Sequence, residues 1–145
     1  MGILDGKVAV VTGSGGGIGR EHALALSAAG AALVINDLGG TRDGSGAGHN
    51  MADAVVEEIR KAGGTAVANY DSVATVAGGQ GILKSALDAF GRVDVLVNNA
   101  GILRDKTFHR MSIDAFESVI KVHLMGSFYV SHAAARLFRE QESGS

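Results

Sequence analysis

The chain predicts an α/β fold: a doubly wound parallel sheet, truncated after about four strands and the long helix that follows. Three observations predict it. Short apolar runs alternate with helical stretches along the whole length, the pattern left by parallel strands joined through crossover helices. The first run passes directly into a glycine-rich turn that opens a helix, Thr12-Gly13-Ser14-Gly15-Gly16-Gly17-Ile18-Gly19. The second ends on an acidic residue, Asp37, eighteen positions beyond Gly19.

Each element has its own justification. Val8 to Thr12 reads as a buried strand, and Ile18 to Ala29 as a helix closed by Gly30, since glycine suits the left-handed cap. Ala32 to Asp37 is the second strand. Leu38 to Asn50 holds five glycines in thirteen residues and reads as a loop. Met51 to Ala62 is a helix with Ala54, Val55, Ile59 and Ala62 on one face, stopped by Gly63-Gly64. Thr65 to Tyr70 is the third strand. Val73 to Phe90 is mostly helical despite Gly78, Gly79 and Gly81; replacing Gly78 by Ala is expected to be tolerated, because Ala is favoured in a helix by ~1 kcal/mol. Val93 to Asn98 is the fourth strand, and Asp114 to Glu140 a long helix with Phe116, Val119, Ile120 and Leu124 as its apolar stripe. The tail Gln141 to Ser145 is polar and expected to fray. Without repeat or linker, residues 1–145 read as a single dinucleotide-binding domain.

Composition narrows the class. Hydrophobic residues make up 46% and charged residues 19%, so a core can be buried. Proline is absent and glycine numbers 22, about twice its usual share. A net charge of −2 gives no reason to expect nucleic acid or a membrane surface as partner. With no cysteine there are no disulfides and no thiolate metal sites. His22, His49, His109, His123 and His132 lack ligand spacing, so no metal is expected. No apolar stretch is long enough to span a bilayer and Met1 to Gly6 lacks a signal-peptide pattern, which makes the cytoplasm the expected location.

The glycine run carries the chemistry. Glycines between a strand and a helix let the backbone approach a phosphate, where free N–H groups and the helix dipole stabilise an anion. A Walker loop would need Lys after its last glycine, and Arg20 stands there on the wrong spacing. G-x-G-x-x-G fits nowhere; T-G-x-x-x-G-x-G does. The run alone has the plain reading of a tight turn, and Asp37 alone that of a loop carboxylate. Together they reinforce each other, because a carboxylate ending the second strand is placed to accept from both hydroxyls of an adenine ribose. The same charge would repel a 2′-phosphate, so NAD is expected over NADP. Arg20 is expected to face solvent, and Arg42 lies in the loop. Asp71-Ser72 and Asn98-Asn99-Ala100-Gly101 end the third and fourth strands at the same carboxyl edge, where open α/β sheets bind ligands. Asn98 is expected to satisfy backbone groups of neighbouring strands.

With Asp71 and Asn98-Asn99-Ala100-Gly101, the glycine run and Asp37 resemble the short-chain dehydrogenase/reductase family along essentially the whole chain. Asn36-Asp37-Leu38-Gly39-Gly40, Ala68 to Val73, Gly101-Ile102-Leu103-Arg104-Asp105 and Val122-His123-Leu124 resemble a narrower group, the dehydrogenase domains of peroxisomal multifunctional enzymes of type 2 and their bacterial relatives. The resemblance implies a Rossmann-like sheet of order 3-2-1-4-5 and hydride transfer between NAD and a secondary alcohol or ketone, such as a 3-hydroxyacyl-CoA thioester. It further implies that Gly13, Ser14, Gly15, Gly17 and Ile18 approach the pyrophosphate and that Asp37 holds the adenosine ribose. Asp71 and Ser72 would meet the adenine, and Asn99 the ribose nearer the nicotinamide. Gly16 stands where NADP-preferring members often carry a basic residue. His123 occupies the position of an Asn with a proton-relay role in many members; a helix residue packed beneath the site is the equally weighted alternative.

The family's chemistry also needs a Ser and the pattern Y-x-x-x-K, with Tyr as general acid/base and Lys lowering its pKa. Four residues past Tyr70 is Ala74, and four past Tyr129 is Ala133. The chain therefore reads as the N-terminal part of such an enzyme, with the catalytic part absent and no turnover of its own. A non-catalytic NAD-binding fragment or pseudoenzyme is the rival reading. The apolar fourth strand is left as an edge and the long helix carries a stripe that family members use between subunits, so a homo-oligomer is expected.

Overall fold

A computed structural model describes residues 2–40 and 48–145; Arg42 and most of the glycine-rich loop lie outside the described residues. Four parallel strands form one sheet in the order β3-β2-β1-β4: β1 (Val8–Val11), β2 (Ala32–Asn36), β3 (Ala66–Asn69) and β4 (Val95–Val97). β1 pairs with β2 from Val8↔Ala32 to Val11↔Ile35 and with β4 from Ala9↔Val95 to Val11↔Val97. All four residues of β1 are buried, as a strand covered on both faces requires.

Alternation along β1 divides the core in two. Ala9 and Val11, with Leu33 and Ile35 of β2, face α1 (Gly17–Ala28) and α2 (Asn50–Lys61) through Ala23, Ala52, Val55 and Ile59. Val8, Val10 and Val34 face α3 (Val76–Phe90) and α5 (Gly126–Gln141) through Ile82, Leu83, Ala86, Val130 and Ala134. A third layer element, α4 (Ile113–Ile120), leads into α5 through a π-helical turn, Lys121–Met125.

Several expectations are corrected. The buried face of α2 is Ala52, Val55, Val56 and Ile59; Ala54 and Ala62 are exposed. α3 begins at Val76, not Val73, because the Thr75 hydroxyl caps it by accepting from Gly78 N–H. Gly78 does not have room for Ala: a Cβ there would lie 1.7 Å from the Ser72 carbonyl oxygen. The long helix is present as expected, continuous from Ile113 to Gln141, but it contains the π-turn, and Phe116 and Leu124 of the expected stripe point outward, 54% and 63% exposed. The inward residues of α5 are instead Gly126, Val130 and Ala134.

The tail is not frayed. Ser145 N–H donates to the Asp94 carbonyl (2.9 Å) and its own carbonyl accepts from Leu96 N–H (2.8 Å), two bonds that straddle Val95 in the manner of a parallel ladder. The Gln141 side chain bonds both backbone groups of Val93. The outer edge of β4 is therefore occupied from Val93 to Leu96. At the opposite end of the molecule the Asp94 carboxylate accepts from Val8 N–H (2.9 Å) and pairs with Arg92 and Lys7. Burial alone would raise the Asp94 carboxyl, but Arg92, Val8 N–H and Lys7 hold it below the ordinary carboxylate value.

Candidate functional site

The carboxyl ends of all four strands open into one cleft of about 590 Å³, the position at which open parallel sheets bind ligands. The glycine loop forms its floor. Gly13 has φ +63° and Gly17 φ +54°, a region that L side chains rarely adopt. The two differ in what surrounds them. A Cβ on Gly13 would meet Ala100 Cα at 2.8 Å, whereas one on Gly17 would meet nothing within 4 Å. Gly13 is small to let two strand-end loops touch; Gly17 leaves open space in front of the helix.

That helix end is unusually bare. α3 and α4 are capped by Thr75 and Ser112, and α2 and α4 carry Asp53 and Asp114 in their first turns. α1 has neither a side-chain cap nor an acidic residue in its first turn. Its first amides and the positive end of its dipole thus face the cleft for an external anion to satisfy.

Asp37 stands beside the loop, half-buried. One carboxylate oxygen accepts from Gly15 N–H (2.8 Å) and the other from Gly39 N–H (2.7 Å). Gly15 has no side chain because a Cβ would sit 2.7 Å from that same carboxylate. Arg20 does not point free into solvent: it forks onto both oxygens of Glu58 at 2.6 and 2.7 Å and also pairs with Glu21. Among the described residues no basic side chain pairs with Asp37, and Gly16 supplies none.

A polar network holds these parts. Asn99 Nδ2 donates to the carbonyls of Thr12 and Gly13 (both 3.1 Å), and the Thr12 hydroxyl accepts from the N–H groups of Asn99 and Ala100. Asn99, not Asn98, does the work of satisfying neighbouring strand ends; Asn98 bonds the Ser131 hydroxyl. Gly19 is small because a Cβ would fall 2.3 Å from Asn99 Nδ2. On the other side, buried Asn36 donates to Asn69 Oδ1 and to the Asp71 carbonyl, and Asn69 donates to the Asp71 carboxylate and Ser85. The Ser72 hydroxyl accepts from Ala74 N–H.

The structure thus brings Gly13, Gly17, Asp37, Asp71, Ser72 and Asn99 to the cleft wall. Ser14 is buried, with its N–H on the Asn36 carbonyl and its hydroxyl on the Val11 carbonyl. Gly15 N–H is engaged by Asp37, and Ile18 is 71% exposed at the start of α1. Leu38, Ile102, Arg104 and Val122, quoted from the sequence only for their resemblance, complete the wall together with Met51, Ser118 and Lys121, which the sequence reading did not single out. His123 does not line the cleft and is exposed, not packed beneath it; its Nε2 lies 3.0 Å from both the nitrogen and the oxygen of Ile102. Among the described residues, no three His, Cys, Asp or Glu side chains are gathered as a metal would need, and no helix is long and apolar enough to cross a membrane.

A parallel α/β sheet whose glycine turn, bare helix end and strand-end carboxylate converge on one cleft defines a dinucleotide-binding class of domain. The match to a family model is specific: residues 7–145 fit the short chain dehydrogenase model, and the chain belongs to that family of oxidoreductases. It is 61% identical over 138 residues to a short-chain type dehydrogenase/reductase of Mycobacterium tuberculosis, covering 95% of this chain and 48% of that protein. To mouse peroxisomal multifunctional enzyme type 2 it is 53% identical over 141 residues, 97% of this chain and 19% of that one. A 7α-hydroxysteroid dehydrogenase solved with NADH and 7-oxo glycochenodeoxycholic acid superposes with a TM-score of 0.87 at 32% identity, covering 97% of this chain and 51% of the other. The chain spans about half or less of the length of these relatives.

Proposed function

We propose that the chain is the NAD-binding part of a dehydrogenase that moves a hydride between NAD and a secondary alcohol or ketone, with a 3-hydroxyacyl-CoA thioester as the favoured substrate class. The observation that carries the cofactor reading is the Asp37 carboxylate, fixed by two backbone N–H groups at the end of β2 with Gly16 beside it and Arg20 committed to Glu58. Among the described residues, a 2′-phosphate would meet that charge without a cation to offset it. When bound, the nicotinamide supplies the hydride acceptor. Gly17 with the bare end of α1 would hold the pyrophosphate, Asp37 the adenosine ribose, Asp71 and Ser72 the adenine edge, and Asn99 the far ribose. Gly13, Ser14, Gly15 and Ile18 support it by shaping the turn.

The substrate class rests on the 53% identity to a peroxisomal multifunctional enzyme and on the motifs around Ile102 and His123. The 145 residues hold no Tyr with Lys four positions on, and loss of a general acid/base costs ~10²–10⁴ in rate; this polypeptide by itself is a cofactor binder without useful turnover. The cysteine-free composition fits the reducing cytoplasm. Self-association through the exposed residues Phe116, Leu124 and Phe128 of the α4–α5 face completes the reading. Fluorescence titration of the chain with NADH and NADPH tests it: NADH binds and NADPH binds more weakly. No binding of NADH by folded chain, or oxidation of a hydroxyacyl-CoA by the pure chain, overturns the corresponding half.

A further inference from the structure

Beside the Asp37 carboxylate stands an apolar side chain that the core does not use. α2 buries Ala52, Val55, Val56 and Ile59. Met51, its second residue, lies off that face, is 39% exposed, and lines the cleft with Gly16, Asp37 and Leu38. Two glycines define where it sits. A Cβ on Gly15 would fall 2.7 Å from Asp37 Oδ2 and 2.8 Å from Met51 Cβ, so the carboxylate and the methionine flank the same point of the loop. A Cβ on Gly16 would meet Met51 Cε at 3.1 Å and, among the described residues, no other atom within 4 Å beyond its neighbours in the chain. Gly16 has φ −169°, extended backbone that any residue adopts. The thioether, not the backbone, stands in the way of a side chain there.

The turn that carries Met51 is fastened on both sides. His49 stacks on Tyr70 with ring centroids 3.7 Å apart, and the Tyr70 hydroxyl donates to the Asp53 carboxylate. Ala52, the next residue, is fully buried. The helix start is thus tied to the end of β3, and the flexible thioether is the part that can yield. A phosphate on a ribose 2′-oxygen received by Asp37 stays close to that carboxylate, where Gly16 and Met51 form the adjoining surface. We propose, resting on the reading of this cleft as an NAD site, that Met51 is a specificity-determining residue. Its thioether fills the space beside Gly16, sets an apolar surface against a 2′-phosphate, and shuts out a side chain at position 16 that could offset the phosphate's charge. Asp37 rejects the phosphate by charge; Met51 rejects it by volume and by denying it polar partners.

The test compares NADH and NADPH dissociation constants for wild type, Met51→Ala, Met51→Leu, Gly16→Arg and the Gly16→Arg/Met51→Ala double variant, each shown to be folded by circular dichroism. Met51→Ala is expected to shift the ratio toward NADPH by roughly 5-fold or more, the relief of one overpacked contact. Met51→Leu keeps the volume and is expected to keep the wild-type ratio. A guanidinium bonded to phosphate is worth roughly 10- to 100-fold, and that gain is expected in the double variant but not in Gly16→Arg alone, so the two substitutions are coupled. An unchanged ratio in folded Met51→Ala overturns the proposal, as does a full gain from Gly16→Arg with Met51 in place. In either case NADH binding leaves the cofactor reading standing. If Gly16→Arg fails to fold, the Met51→Ala and Met51→Leu pair decides alone. Absence of NADH binding by folded wild-type chain overturns the cofactor reading, and the role of Met51 with it.

Discussion

Asp37→Ala separates the two things that the Asp37 carboxylate is proposed to do. A ribose hydroxyl bonded to a charged acceptor is worth about 1.5–3 kcal/mol, so its loss should weaken NADH binding by roughly 10- to 100-fold. The repulsion of a 2′-phosphate at ~4 Å is roughly 4 kcal/mol at an effective dielectric of 20. Asp37 is only half-buried, and solvent screening cuts that to about half, still roughly 30-fold against NADPH. Removal of the charge should therefore weaken NADH and strengthen NADPH, bringing the two constants together from both sides. Asn is the wrong substitution. Both carboxylate oxygens accept backbone N–H groups, from Gly15 and Gly39, so either amide orientation sets a donor against a donor. Fluorescence titration with both cofactors, with circular dichroism to establish folding, reads the result. Wild-type chain that binds NADPH as tightly as NADH, or a folded Asp37→Ala chain with an unchanged ratio, refutes the reasoning.

Gly17→Val should abolish NADH binding, measured by calorimetry, because it fills the open space before α1 and strains a residue at φ +54°. Gly78→Ala should instead destabilise the fold by about 1–3 kcal/mol in chemical denaturation, since its Cβ meets the Ser72 carbonyl; a stabilised Gly78→Ala chain would contradict the packing. Asp94→Asn should lose stability at neutral pH. A carboxyl whose folded value lies below its unfolded one stabilises fully above the unfolded value, 3.8 for an ordinary Asp, and loses that contribution as pH falls through the folded value. The gap between wild type and Asp94→Asn in urea midpoints should thus close in acid, and a gap that widens there is the contrary result. Light scattering should find Phe128→Asp more disruptive of self-association than Val95→Lys, because Ser145 and Gln141 already occupy the β4 edge while Phe128 is 61% exposed; the opposite order would restore edge pairing.

The sheet was legible because its strands are buried on both faces and read as unbroken apolar runs, each ended by glycine or a polar residue. Element faces were less so. Val55 and Ile59 of α2 admit two phases, and alanines carry too little hydrophobic weight to choose between Ala52 and Ala54. In the long helix the π-turn inserts a register shift between α4 and α5, so a stripe extrapolated from Phe116 through Leu124 misses the inward line of Gly126, Val130 and Ala134. The ordered tail depends on backbone bonds to residues nearly fifty positions away, which no local pattern records. Gly78 was misjudged for the same reason: helix propensity is local, but the Ser72 carbonyl it touches belongs to a folded loop.

At the site, the glycines and Asp37 could be read because each is demanded by a short-range spacing. What could not be read is how they hold one another. Asn98 and Asn99 are adjacent and identical, and only the twist at the end of β4 decides which turns inward onto Thr12 and Gly13. The pairing of Asn36 with Asn69 likewise needs strands brought side by side. The most consequential contact is Asp37 with Gly15 N–H. A carboxylate offers about four acceptor positions, and two of Asp37's are filled by Gly15 and Gly39. The remaining two are enough for a ribose diol without displacing either backbone bond. The acceptor is thus oriented before any ligand arrives, and the loop proposed to approach a pyrophosphate is pinned to the residue proposed to receive the adjoining ribose. On the proposed reading, specificity for the ribose and the shape of the phosphate turn are one structural unit, so a substitution at Asp37 should change affinity for the whole cofactor and not only its discrimination at the 2′ position.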